Sequence, residues 1–169
     1  MGLEMSDFMF NIGDYVVYKK DVCRINDYKK KHIKDMDYYE LVPILDNSLK
    51  IVIPISNNYI RGVLSREEAE KVIDMIPSID IIETNDKLIE NEYKRLLHDG
   101  GYEGLVKIIK TTYLRNEDRI NNKRKISEKD DNYFNLSEKY LYSEFSISLG
   151  MEYDEVKKYV IDRVKEKCN

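Results

Sequence analysis

Over the first 64 residues, apolar positions come in short runs separated by turn-forming residues. From Ser65 onward they recur at helical spacing. The first run follows "NIGD", where Gly13 can take a positive φ and Asp14 can bond its own backbone. "YVVY" then has the β-branched and aromatic character of a strand. "DVCRINDY" reads as a second strand, short and mixed. "DYYELVPIL" and "LKIVIPI" flank the turn cluster "DNS" and read as a hairpin. Pro43 and Pro54 cannot donate to a ladder, which points to edges, bulges or strand ends. The unbroken "IVIPI" fits a strand covered on both faces, or an edge that pairs with something else. Four or five short strands in so few residues predict a small curled sheet or barrel.

The second half is predicted to be helical. "SREE" is a capping box in which Ser65 caps the first turn and Glu68 returns the bond. Ala69, Val72, Ile73 and Ile76 then fall on one side, and Pro77 ends the helix. After the connector "SIDIIETND", "DKLIENEYKRLL" places Leu88, Ile89, Tyr93, Leu96 and Leu97 on one face, stopped by the glycines of "HDGG". "YEGLVKIIKTTYLRNEDRI" is a third helix. A fourth runs from a Ser127 cap to Gly150, and "EYDEVKKYVIDRVKEK" is an amphipathic fifth. The expected fold is α+β. A β domain over residues 1–64 precedes an all-helical domain of about five helices over 65–169.

Composition narrows the function more than the fold. The chain is 42% apolar and 36% charged, with net charge −4. The opening "MGLEMSDFMF" has neither the charged region nor the apolar core of a signal peptide, and no run approaches membrane-spanning length, so a cytoplasmic protein is expected. Cys23 and Cys168 have no metal-type spacing and read as free thiols. His32, in an expected loop, and His98, before the helix-ending glycines, read as solvated or capping side chains. "HDGG" lacks the nucleophile elbow that would make it an oxyanion loop, and no P-loop or zinc-protease motif is present. These features favour an interaction protein over an enzyme, with no cofactor or metal expected. Residues 1–64 carry nine basic and nine acidic side chains. The rest is acidic, yet Lys107–Lys125 holds seven basic residues against two acidic ones. A basic helix running into a basic loop is what contact with phosphates requires. Tyr133 and Tyr140, at helical spacing, read as packing rather than as base platforms.

Taken together, these blocks resemble the CarD/CdnL family of bacterial transcription regulators. "FNIGDYVVY" is similar to that family's first strand, and "YYELVPILDNSLKIVIPISNNYIRGVLSREEAEKVIDMI" to the remainder of its β domain and its first helix. "YKRLLHDGGYEGLVKIIKTTYLRNEDR" is similar to its following helix pair, and "SEKYLYSEFSISLG" to its closing helix. The resemblance covers roughly residues 9–150. It implies a Tudor-like (SH3-like) β domain that docks on the β subunit of RNA polymerase. It also implies a helical domain that touches promoter DNA and tunes open-complex stability. A monomer is expected.

On that resemblance the polymerase-binding residues are Tyr28, Lys50, Ile51, Val52, Ile53 and Pro54. The DNA-binding residues are Asn85, Lys87, Lys107, Lys110, Arg115, Arg119, Lys123, Arg124 and Lys125. Two departures stand out. Val52 and Tyr28 occupy positions where many members carry arginine. Asn85 and Asp86 fall where many carry a tryptophan wedge, and this chain has no tryptophan. Polymerase docking is then left to backbone pairing at the "KIVIPI" edge and to Lys50. The alternative expectation is a protein-only adaptor that binds the polymerase, or another partner, without touching DNA.

Overall fold

The computed structural model describes residues 10–168; the opening stretch read above for a signal peptide lies almost wholly outside them. These residues form two compact units divided between Val63 and Leu64. The architecture is α+β, with a five-stranded antiparallel sheet followed by five α-helices.

The chain enters the β unit through the Gly13–Asp14 turn. Gly13 has φ 95°, a region that strains any side chain, and the Asn11 N–H donates to the Asp14 carboxylate at 2.8 Å. Gly13 N–H donates to the Ile25 carbonyl, and Ile25 N–H to that of Asp14, so the turn is fastened to the second strand. The strands are β1 (Tyr15–Tyr18), β2 (Asp21–Ile33), β3 (Met36–Pro43), β4 (Ile51–Pro54) and β5 (Ile60–Gly62), in the order β4-β3-β2-β1-β5. Alternation delivers Val16, Cys23, Ile25, Tyr39, Leu41 and Ile53 to one buried face. Burial pushes the Cys23 thiol up to about 11, with help from Asp21, so it packs as a small apolar group.

β2 corrects the sequence reading. It does not stop at Tyr28 but runs to Ile33, which places His32 in a strand rather than a loop. The two-residue turns at its ends, Lys19–Lys20 and Lys34–Asp35, have positive φ at all four positions. Tight hairpins need that geometry because its twist matches the strands. Glycine and asparagine are its usual carriers, and neither is used here.

In the helical unit, α1 (Arg66–Met75) starts from the expected box: Glu68 N–H donates to Ser65 Oγ, and Ser65 N–H to Glu68 Oε1, both at 3.1 Å. A 3-10 turn at Ile76–Ser78, carrying Pro77, ends it. α2 (Ile89–Asp99) begins later than its pattern suggested, and α3 (Gly101–Asn121) follows almost directly. Gly100 permits that junction: a Cβ there would lie 2.5 Å from the Leu96 carbonyl oxygen. α4 (Glu128–Leu149) and α5 (Tyr153–Cys168) complete the unit. Its main core joins Ala69 and Ile73 of α1, Leu105 and Val106 of α3, Leu141, Phe145 and Leu149 of α4, and Val156 and Val160 of α5. A smaller cluster of Ile89, Tyr93, Leu96 and Ile108 packs α2 on α3. Among the described residues no helix is long and apolar enough to cross a membrane, and no group of His, Cys, Asp and Glu could hold a metal ion.

Candidate nucleic-acid and partner interfaces

The basic residues expected to meet DNA divide into three groups. Lys110 belongs to the fold. Its ammonium donates to the carbonyls of Ile76, at 2.9 Å, and Ile79, capping the 3-10 turn after α1. That turn exposes carbonyls because Pro77 breaks the helical ladder, and a half-buried cation is the natural partner for them.

Arg115 and Arg119 form the second group, gathered around one carboxylate. Asp130, in the first turn of α4, is fully buried. Arg115 Nε donates to its Oδ2 at 2.9 Å, Arg119 Nη1 to the same oxygen at 2.8 Å, and the Tyr93 hydroxyl to Oδ1 at 2.9 Å. Its backbone N–H donates to Ser127 Oγ, the N-cap of α4. Burial opposes ionisation of Asp130, but the bonds from Arg119, Arg115 and Tyr93 outweigh it and hold the carboxyl below its ordinary value. Burial, then the bond to Asp130, pushes the Tyr93 phenol up. The cluster joins α2, α3 and α4 through one ion. Arg115 also reaches outward: its Nη1 donates to Asp86 at 2.9 Å, and Asp86 is itself 83% exposed. Asp86 is therefore half of an ion pair. The Arg115 bond lowers the Asp86 pKa.

The third group faces solvent. Lys87, Lys123, Arg124 and Lys125 are exposed. Lys123 sits at φ 57°, one residue past the C-cap of α3. Its N–H reaches the Ile120 carbonyl, and that of Arg124 reaches Arg119. This is a Schellman closure with lysine in the position glycine usually takes. Asn85 is exposed, but its Oδ1 accepts from the N–H groups of Lys87 and Leu88 at 3.1 Å, shaping the entry to α2. Lys107 is partly exposed and lies 3.9 Å from Glu103, one helical turn away. It sits two turns and more along α3 from Arg115, so the expected set is not one continuous patch. Asn85, Lys87, Arg115, Arg119 and Lys123–Lys125 share the end of the unit where α2 and α4 begin and α3 stops.

On the β unit the expected polymerase-binding residues separate as well. Among the described residues β4 is a sheet edge, paired only with β3. Ile55 N–H bonds the Asp37 carbonyl, and Tyr38 stands opposite Pro54, which sets the phase of the ladder. Ile51 and Ile53 direct their backbone groups toward β3. Val52 directs its N–H and C=O away from the sheet, and Pro54 offers only a carbonyl. Ile53 is buried in the core, Lys50 is exposed and Val52 is 40% exposed. Tyr28 is not on this edge. It lies on β2, packs edge-to-face on Tyr39, and donates its hydroxyl to Asp37. That bond, with burial second, pushes the phenol up to about 12.

Sequence reasoning also missed a polar feature of this unit. Asn26 Nδ2 donates to the buried Glu40 at 2.6 Å, and Lys29 lies 3.9 Å from the same carboxylate, beside the β4 edge. The cross-strand pairing of β2 with β3 creates this contact, and no motif in the chain announces it. No known family model matches the chain, and no curated protein matches it.

Proposed function

We propose that the protein is a non-enzymatic transcription regulator. Its β unit docks on the β subunit of RNA polymerase through the β4 edge, and its helical unit rests on promoter DNA. The observation that carries this reading is the edge at Ile51–Pro54, which no described strand pairs on its outer side, with the Val52 N–H and C=O directed outward and a flanking lysine at Lys50. Such an edge is a template for strand addition, in which backbone bonds supply affinity without a dedicated side-chain pocket. The resemblance of the sequence blocks to the CarD/CdnL family names the partner. DNA contact falls to Lys87, Lys123, Arg124 and Lys125, with Arg115 in reserve behind Asp86. These contacts are to the phosphate backbone and independent of base sequence. Held beside the upstream promoter in this way, the protein modulates open-complex stability.

The internal engagement of Lys110, Arg115 and Arg119 favours a second reading, the protein-only adaptor. A salt titration on promoter complexes separates the two. Phosphate contact makes affinity fall with a slope of about 0.9 per neutralised phosphate, and reversing Lys123–Lys125 flattens it. An adaptor gives the same slope with or without those three charges.

A further inference from the structure

The β2–β3 hairpin outruns its sheet. β1 pairs with β2 only as far as Arg24, and β4 pairs with β3 only as far as Tyr38. Beyond Lys29↔Tyr38 the two strands continue to Ile33↔Met36 and the Lys34–Asp35 turn, flanked among the described residues by no strand and touched only at Asp37, whose carbonyl accepts from the Ile55 N–H. Lys30 through Met36 are all exposed. Within this ribbon, three residues of β2 (Lys30, Lys31 and His32) stand against the single Asp37 of β3. Lys31 takes φ 47° to accommodate them. The bulge is held open by Asp37, whose carboxylate accepts from the Lys31 N–H at 3.0 Å and from the Tyr28 hydroxyl. His32 rests edge-to-face on Tyr38, 5.6 Å away. At the very tip Ile33 and Met36 face each other, 48% and 42% exposed, between Lys31 and Lys34.

We propose that this ribbon is a nucleic-acid-binding arm. Lys30, Lys31 and Lys34 hold the phosphates of a DNA duplex, and the Ile33–Met36 pair presses against a base step from the minor groove. Lysines alone would be explained by the need to keep an unpaired strand from aggregating. That need does not explain the apolar pair at the tip, which edge protection would make polar. Ile and Met carried between cations at the end of a two-stranded arm are what insertion between base steps uses. The Tyr28–Asp37 staple serves the arm: it ties one of the ribbon's two acids into the bulge and leaves Asp35 as the only other. The assignment concerns the β unit alone and does not depend on the helical-unit contacts.

The test uses the full chain and a short fluorescent duplex, with affinity read by anisotropy across a salt series. The proteins are the wild type, Lys30→Glu/Lys31→Glu, Ile33→Ser/Met36→Ser, and a triple reversal at Lys123, Arg124 and Lys125. All substituted ribbon positions lie outside the core, and circular dichroism confirms folding. The lysine variant is expected to bind at least about tenfold more weakly at moderate salt and to lose about two from the salt slope. The tip variant is expected to keep the slope, weaken severalfold, and abolish duplex bending measured by end-to-end energy transfer. The proposal is overturned if both ribbon variants match the wild type, if the wild type binds no duplex, or if polyglutamate outcompetes the duplex at equal charge. That last result would make the arm a reader of acidic protein. Loss in the triple reversal alone would leave the helical-unit contact standing and remove the arm.

Discussion

Replacing Asp130 by Asn tests whether the helical unit is organised around one buried ion. The substitution keeps shape and removes the charge. Two guanidinium groups, 22% and 25% exposed, then lose their common counter-ion, while the Tyr93 hydroxyl faces an amide in place of a carboxylate. Breaking a buried, hydrogen-bonded ion pair from one side costs about 3–5 kcal/mol. A domain of ordinary stability holds only about 5–15 kcal/mol in total, so the loss is a large share. Urea unfolding followed by helical circular dichroism measures it. The pH dependence supplies a second reading. Asp130 has a folded pKa below its unfolded value. Its contribution is therefore complete above the unfolded carboxylate range near pH 4 and is lost as pH falls through the lower folded value. Wild-type helical stability should fall through this acid window, and the Asn variant should lack that component. A loss below about 1 kcal/mol, the size of an ordinary surface pair, would refute the hub.

Two further substitutions separate structural cations from binding ones. Lys110→Met should lower stability by about 1.5–3 kcal/mol, the range for bonds to a charged group, because the Ile76 and Ile79 carbonyls lose their donor. It should leave the salt slope of DNA binding unchanged, and a flatter slope would return Lys110 to the DNA set. Asp86→Asn should steepen that slope by about 0.9 by releasing Arg115 for one more phosphate. The steepening should vanish in an Arg115→Gln background; if it persists, Asp86 acts only as a general repulsive charge.

Much of the fold was legible because its local rules agree. The Gly13–Asp14 turn, the Ser65–Glu68 box, the prolines at strand ends and the helical apolar faces each act over a few residues. What escaped depends on distance or on missing apolar contrast. The ribbon carries no alternation, because a two-stranded arm without neighbours buries no face, so "KKKHIK" looked like a loop. Its turn lacked the usual glycine or asparagine signal. Asp130 sat in a polar string that reads as solvent-facing; only the fold brings it to Arg115, fifteen residues away, and to Tyr93, thirty-seven away. Lys110 and Arg115 looked like members of one basic face because charge is visible in sequence and its partner is not. At the β4 edge the pattern "IVIPI" fits either an edge or a strand covered on both faces, and it cannot say that Val52 points outward while Ile53 is core.

That distinction supplies the most direct test of polymerase docking. Val52 carries the outward N–H of β4, and its bond is not part of the β3 ladder. Val52→Pro removes that donor and keeps an extended backbone, whereas Ile53→Glu would disrupt the core and report only on folding. The measurement is a calorimetric titration of the wild type and Val52→Pro against the isolated lobe of the RNA polymerase β subunit. Strand addition at this edge predicts saturable binding by the wild type and at least about tenfold weaker binding by the folded proline variant, the equivalent of about 1.4 kcal/mol. Equal binding by the two proteins, or none by either, would contradict docking through β4.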